Sequence, residues 1–361
     1  MRLRSLLIPL VIITTFLGVL HWFIFTMATW EMSEKPVSLI VFMIVGWLLI
    51  PTSLLLSMTS LSHRLLPLIM AGYTWLGTFA IAIFFSFVQS VFVIAGAEMY
   101  PGWMLFVTPL IASWALRINW TGPKINKHAL EGPEFMRGLR VVQISDLHVG
   151  HTILGEKWLA RVVDRIEALR PDIVAVTGDL ADGHFDTTSP MLAPLARVTA
   201  RKFYVTGNHE YIRGGSWEVR LEELGFECLH NTNAVIEREG GALLIAGVPD
   251  RGVGRFSRGS LESAPDRALS TSVTVGYRML LAHEPSSVFD VKTERCDLLL
   301  AGHTHGGQIF PFSLLVKLQQ PVTAGFKTVN GIRVFAHQGT GFWGPPMRWF
   351  TSSEIVEFTW K

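Results

Sequence analysis

Hydrophobic and polar positions divide the chain near residue 118. Up to that point the sequence runs in long apolar blocks, residues 6–29, 37–58, 66–88 (extending toward 97) and 103–116, separated by short polar breaks. A helix needs about 20 apolar residues to cross a hydrocarbon core, so the first three blocks predict membrane spans. The fourth is shorter and contains Pro109; it predicts a helix that either crosses or lies in the interface. Together they predict a transmembrane helical anchor domain of about four helices over residues 1–118. Residues 119–136, with Gly122, Pro123, Gly132 and Pro133, read as a linker.

From residue 137 to 361 short apolar runs alternate with amphipathic ones. Strands are predicted over residues 139–144, 172–177, 203–206, 234–237, 243–248, 279–282, 298–301, 332–336 and 355–359, and helices over 156–169, 191–200 and 217–224. The early strands are continuously apolar, as expected where both sheet faces are covered, and the alternation of strand and helix predicts an α/β domain.

Composition and charge add limits. The formal net charge of +2 predicts neither a nucleic-acid binder nor an acidic scaffold. Cys228 and Cys296 have no short spacing, so neither a disulfide framework nor a thiolate zinc site is expected. The first block follows Met-Arg-Leu-Arg but is longer than a signal-peptide core, and no clear cleavage site follows it, so it reads as a retained anchor. Arg2 and Arg4 precede the first block, Arg64 falls between the second and third, and Arg117, Lys124 and Lys127 follow the fourth. The opposite loops hold Lys35 with Glu31, Glu34 and Glu98. With four crossings, this bias predicts a multi-pass integral membrane protein with its downstream domain in the cytoplasm. If the fourth block stays on one side, the domain moves to the other face. His21 and Gln89 are isolated polar groups inside the blocks, expected to make helix-to-helix hydrogen bonds rather than a transport path.

The chemistry-bearing residues fall immediately after predicted strands: Asp146 and His148, Asp179, Asn208 with His209 and Glu210, His283, then His303 and His305. In an α/β sheet such positions converge on one crevice. Carboxylate and imidazole ligands without thiolate suit a hydrolytic pair of Mn, Fe, Zn or Ni ions, bridged by an Asp carboxylate. Glycines beside Asp179, Asn208 and His303 let backbone pass close to such a site.

The ordered series Asp-x-His, Gly-Asp, Gly-Asn-His-Glu, a lone His and Gly-His-Thr-His resembles the calcineurin-like metallophosphoesterase family over residues 139–361. Gly306-Gly307-Gln308-Ile309 and the Gly339-Thr340-Gly341 to Ser353-Glu354-Ile355 ending look like its bacterial membrane-associated phosphodiesterase branch. The resemblance implies a four-layer αββα sandwich. Asp146, His148 and His305 would hold one of two divalent ions, Asn208, His283 and His303 the other, with Asp179 between them. It implies hydrolysis of a phosphodiester or pyrophosphate by a metal-bridging hydroxide, with His209 as general acid or phosphate clamp. The family more often has Asp where Glu210 stands; a carboxylate there could orient His209. A lipid-linked nucleotide such as UDP-diacylglucosamine is one substrate the resemblance allows, membrane lipid is the expected surrounding, and no nucleic acid is expected.

Blander readings apply elsewhere. His63, His128 and His184 read as exposed loop or linker residues, and His230 and His337 as structural. His151 is a candidate to support a ligand, and Asp182 and Asp250 read as turn residues. The apolar segments 310–318 and 342–350 read as lid or core, or as a lipid-facing rim built on Trp343, Arg348 and Trp349. Two other function classes compete: a non-catalytic membrane protein using the domain as a binding or regulatory module, which the full ligand set disfavours, and a transporter, which lacks paired charges in its spans.

Overall fold

A computed structural model describes residues 3–57, 59, 62, 64–97, 99–150, 153–252 and 262–361. Arg2, His63, Glu98 and His151 lie outside the described residues. The chain forms two units, one of residues 1–121 with 309–312 and 344–350, the other of residues 122–308, 313–343 and 351–361.

The first unit is helical: α1 (Leu3–Ala28), α2 (Val37–Ser57), α3 (Leu66–Ile94) and α4 (Met104–Trp120). Three of these, over Leu10–Ala28, Val37–Ser57 and Leu66–Ile94, are long and apolar enough to cross a membrane. The expected set of about four spanning helices is thus corrected to three. The fourth block does form a helix, but its 17 residues reach only about 26 Å at about 1.5 Å per residue, short of a core of about 30 Å. Small residues let α2 and α3 approach closely: a Cβ added at Gly46 would collide with the Trp75 indole, and one at Gly72 with Ser53. The two polar groups are satisfied between helices. The Trp75 indole N–H donates to His21 Nε2 (3.0 Å) while His21 Nδ1 donates to the Leu17 carbonyl (2.7 Å), and the Trp103 indole donates to Gln89 Oε1 (2.6 Å). Within the same unit Phe310 and Trp349 pack edge-on against Phe84, and Met347 fills the space over Gly77. Arg348 is fully buried and Trp349 is 5% exposed, so the rim expected from Trp343, Arg348 and Trp349 does not form.

The second unit is a sandwich of two mixed six-stranded sheets. The first contains β1 (Lys124–Leu130), β2 (Arg140–Ile144), β4 (Ile173–Thr177), β6 (Arg201–Val205), β7 (Phe226–Cys228) and β14 (Glu354–Trp360), in the order β1-β14-β2-β4-β6-β7. The second contains β8 (Thr232–Arg238), β9 (Gly241–Gly247), β10 (Tyr277–Leu281), β11 (Leu298–Ala301), β12 (Gly325–Val329) and β13 (Ile332–Ala336), in the order β12-β13-β11-β10-β9-β8. The short strands β3 (Val149–Gly150) and β5 (Ala181–Asp182) pair separately. Val141, Ala175, Phe203, Met279, Leu300 and Phe358 fill the space between the sheets. Leu159, Val162, Val163 and Ile166 of helix α5 (Glu156–Ala168), a face spaced at three and four residues, cover the outside of the first sheet. Ala268, Leu269 and Val288 cover the outside of the second. This is the expected αββα order.

Two local expectations change. Residues 119–136, read as a linker, contain the end of α4, the strand β1 and a 3-10 turn. The β1 segment pairs in parallel with β14 along its whole length, a partner more than 220 residues away in sequence (Lys124 with Glu354) that no local pattern discloses. Residues 191–200, read as a helix, form a 3-10 run over Ser189–Arg197 containing Pro194; proline removes an α-helical donor and favours the tighter turn.

The close α2–α3 approach makes Gly46→Val a sharp probe. Its side chain would overlap the Trp75 indole, and we expect the variant in detergent to show a thermal midpoint several degrees below wild type. An unchanged midpoint would remove this contact as a packing constraint.

Candidate metal centre

The parallel neighbours β2, β4 and β6 of the first sheet and β10 and β11 of the second each end at a chemistry-bearing residue. Asp146 and His148 follow β2, Asp179 follows β4, and Asn208 and His209 open α7 (Asn208–Arg213) after β6. His283 follows β10, and His303 and His305 follow β11. Cross-links between these loops fix them. Asp146 N–H donates to the Gly178 carbonyl (3.0 Å), His148 N–H to the Asp179 carbonyl (3.1 Å), and Gly302 N–H to the His283 carbonyl (2.8 Å). The turns are sharp: Asp146, His148, Asp179, His303 and His305 all have φ between 47° and 69°, a region that costs a side chain energy and clusters at functional sites. Gly207 is required by proximity, since a Cβ there would collide with the Asp179 carboxylate.

What results is a set of acceptor atoms aimed at one another. His148 Nε2 lies 3.2 Å from His305 Nε2, and His305 Nε2 lies 3.3 Å from Asp146 Oδ1. His303 Nδ1 lies 3.2 Å from His283 Nε2, which lies 3.2 Å from Asp179 Oδ2. His283 Nδ1 is 2.7 Å from the Thr177 carbonyl; a carbonyl only accepts, so this nitrogen carries a proton and Nε2 is the atom turned to Asp179. Burial opposes charge on this ring, but Asp179 outweighs it and holds the imidazole well above its usual range. Asp179 Oδ2 is also 3.8 Å from His148 Nε2 and so faces both groups, while its Oδ1 accepts the His209 N–H (2.9 Å). Asn208 Oδ1 is buried with no hydrogen-bond partner among the described residues. Such a donor set fits divalent cations. Asp146, His148 and His305 form one metal-capable cluster, and Asp179, His283 and His303 another. A third overlapping cluster adds His209 to His148 and Asp179.

The charges behave accordingly. Burial would raise the Asp146 and Asp179 carboxyls, but neighbouring imidazoles, His305 for the first and His283 for the second, hold both below the usual range. Burial and then repulsion from His209 push His148 down to about 3, which keeps its lone pair free. Burial also opposes charge on His209, but Asp179, Asp182 and Glu210 outweigh it and lift this imidazole to about 9.

Two residues change roles. Asp182, read as a turn residue, places Oδ1 3.5 Å from His209 Nδ1, within ion-pair distance of that ring. Glu210 does not take this place. Its carboxylate accepts backbone N–H groups of Asp179 (3.1 Å), Leu180 (2.8 Å) and Gly207 (2.7 Å), tying the Asp179 turn to the start of α7. The extra methylene relative to Asp carries it past His209 to the backbone. The spacing Gly-Asp-x-x-Asp over residues 178–182 held the signal for Asp182: β5 begins two residues after Asp179 and turns the later carboxylate back toward the site. Asp250 does fit its turn reading, accepting the Gly252 N–H (2.8 Å).

The other histidines stand apart. His128 is no linker residue but part of β1, packed among Phe326, Phe335 and Phe358. His184 is exposed, His230 faces Glu218 at 3.3 Å, and buried His337 accepts the Gly339 N–H.

A family model described as calcineurin-like phosphoesterase matches residues 139–307. The chain is 34% identical to a zebrafish (Danio rerio) transmembrane protein with metallophosphoesterase domain, over 63% of this chain and 54% of that protein. It is 33% identical to an uncharacterized metallophosphoesterase of Helicobacter pylori, over 65% and 63% of the two chains. A similar protein of Aquifex aeolicus, also an uncharacterized metallophosphoesterase, is 31% identical over 66% of this chain and 92% of its own. The chain thus spans between about half and two thirds of the first two relatives.

The orphaned Asn208 Oδ1 leads to a direct test. Elemental analysis of the purified chain should find about two divalent ions per molecule, and Asn208→Ala should lower that toward one while circular dichroism stays unchanged. Full metal content in the variant would remove Asn208 from the ligand set.

Proposed function

The chain belongs to the calcineurin-like phosphoesterase family, and we propose that it is a membrane-anchored phosphoester hydrolase acting through two divalent metal ions. One observation carries this reading: the Asp179 carboxylate stands between two groups of ligand-type nitrogen and oxygen atoms gathered at 3.2–3.3 Å. In the proposed assignment Asp146, His148 and His305 hold one ion, Asn208, His283 and His303 hold the second, and Asp179 is shared. Ions so held supply an activated water at neutral pH and offset charge on the phosphoryl oxygens during in-line displacement. The chain's own groups do the rest. Asp179 is kept in place by the His209 N–H on Oδ1, leaving Oδ2 free to ligate. Asp182 faces His209 Nδ1, so the ring turns Nε2 toward the site and holds a proton for the leaving oxygen.

By this reading residues 1–118 are the anchor domain, 119–136 join the two parts, and 137–361 are catalytic. The substrate is a phosphodiester or pyrophosphate, and the apolar anchor supports a lipid-linked nucleotide such as UDP-diacylglucosamine. The basic residues Arg4, Arg64, Arg117, Lys124 and Lys127 support a cytoplasmic catalytic domain; this orientation needs the short α4 (17 residues) to cross as well, with the bilayer thinning around it.

Two experiments examine these claims. Purified full-length chain with Mn²⁺ should hydrolyse bis-p-nitrophenyl phosphate. His209→Ala should lower kcat by roughly 100-fold or more, and Asp179→Ala should leave only background. An inactive wild type, or full activity in Asp179→Ala, would leave a non-catalytic binding module as the better account. For orientation, a green fluorescent protein fused to Lys361 should fluoresce and an alkaline phosphatase fused there should stay inactive. The opposite pattern would move the domain to the other face.

A further inference from the structure

Trp343 is an exception among the tryptophans of the sheet unit. Trp217 and Trp360 are each 3% exposed, whereas Trp343 is 47% exposed. It is nevertheless held firmly. The Gln308 side-chain amide donates to the Trp343 carbonyl (2.9 Å), and its oxygen accepts the Trp343 N–H (3.2 Å). Gln308 is itself fixed, its carbonyl accepting the Thr351 hydroxyl (2.7 Å) and its φ standing at 52°. Gln308 follows His305 by three positions in the chain, so the clamp grows out of the same turn that carries a proposed ligand. The indole lies with its ring centre 6.0 Å from that of His209, at 76° between planes.

We propose that Trp343 is the surface on which the substrate's leaving group stacks, and that this group is planar and aromatic, of the nucleobase class. The inference rests on the phosphoester reading above and on His209 as donor to the leaving oxygen. A group bonded to that oxygen starts at His209, and the indole is the aromatic ring beside it. The flat face decides the ligand class. A base gains from stacking on one exposed aromatic face, whereas an acyl chain leaves water only when apolar walls surround it. The clamp fixes the backbone that carries the indole, so less of the chain has to be ordered when the ring is used.

The test compares three stable phosphonates in calorimetric titrations of the full-length, Mn²⁺-loaded protein in detergent: methylphosphonate, decylphosphonate and the methylenephosphonate analogue of adenosine 5′-monophosphate. Wild type should bind the adenosine compound at least about tenfold more tightly than methylphosphonate, about 1.4 kcal/mol. Trp343→Ala should lose that advantage, Trp343→Phe should keep most of it, and all three proteins should bind methylphosphonate equally and melt at the same temperature. The proposal is overturned if wild type shows no preference for the adenosine compound, or if Trp343→Ala retains it. It is also overturned if decylphosphonate gains as much and loses as much, which would make the surface a lipid contact. Failure of the underlying reading is recognisable separately: no phosphonate would bind and bis-p-nitrophenyl phosphate would remain intact, which would overturn both.

Discussion

Imidazole nitrogens and carboxylate oxygens crowd together at 3.2–3.3 Å in a buried site, and the sheet unit is organised to hold them there. Burying a polar acceptor without a donor costs energy, and burying a carboxylate costs more. A cation between the groups offsets that cost. Asp179 is the focus of this arrangement, because one of its oxygens faces both groups of acceptors while the other is tied to the backbone of α7.

Holding such groups together needs a stiff support, and the loops provide one. Five of the proposed ligand positions adopt the left-handed backbone region, a cost that persists only where the surroundings over-determine the conformation. Asp and His accept that region more readily than branched or bulky residues. Glu210 supplies much of the surrounding constraint: three N–H groups from two loops end on one buried carboxylate. Burial and the Asp179 charge push this group up to about 7, the expected result of placing two carboxyls close together out of water. The two acidic side chains nearest the motif thus divide the work. Glu210 braces the backbone and Asp182 faces the imidazole of His209.

The helical unit holds three candidate membrane spans. Its helices meet at Gly46 and Gly72 and through hydrogen bonds from Trp75 and Trp103, the kinds of contact that join helices where lipid is the solvent. Arg348, a basic residue drawn from the downstream sequence, is fully buried in this unit, beside a segment whose Trp349 and Phe310 pack onto Phe84.

Local pattern alone determined most of the architecture. Block length pointed to the three helices with a span's length, though not to the shortfall of the fourth; alternation of strand and helix identified the α/β class, and the position of each Asp and His just after a strand pointed to the residues that the structure brings together. These are properties of single segments, so they survive in one dimension. Only the tertiary structure decided the rest, and each case turns on a distant partner. The strand β1 exists because β14 pairs with it across the length of the domain. Asp182 rather than Glu210 serves His209 because β5 swings one carboxylate back while a longer side chain carries the other past the ring. Trp343 and Trp349, six residues apart, belong to different units, since which apolar side chain is covered depends on what folds against it. The chemistry was legible because it is written in residue type and order, whereas the choice of which carboxylate and which aromatic ring does each task depends on distances that no spacing encodes.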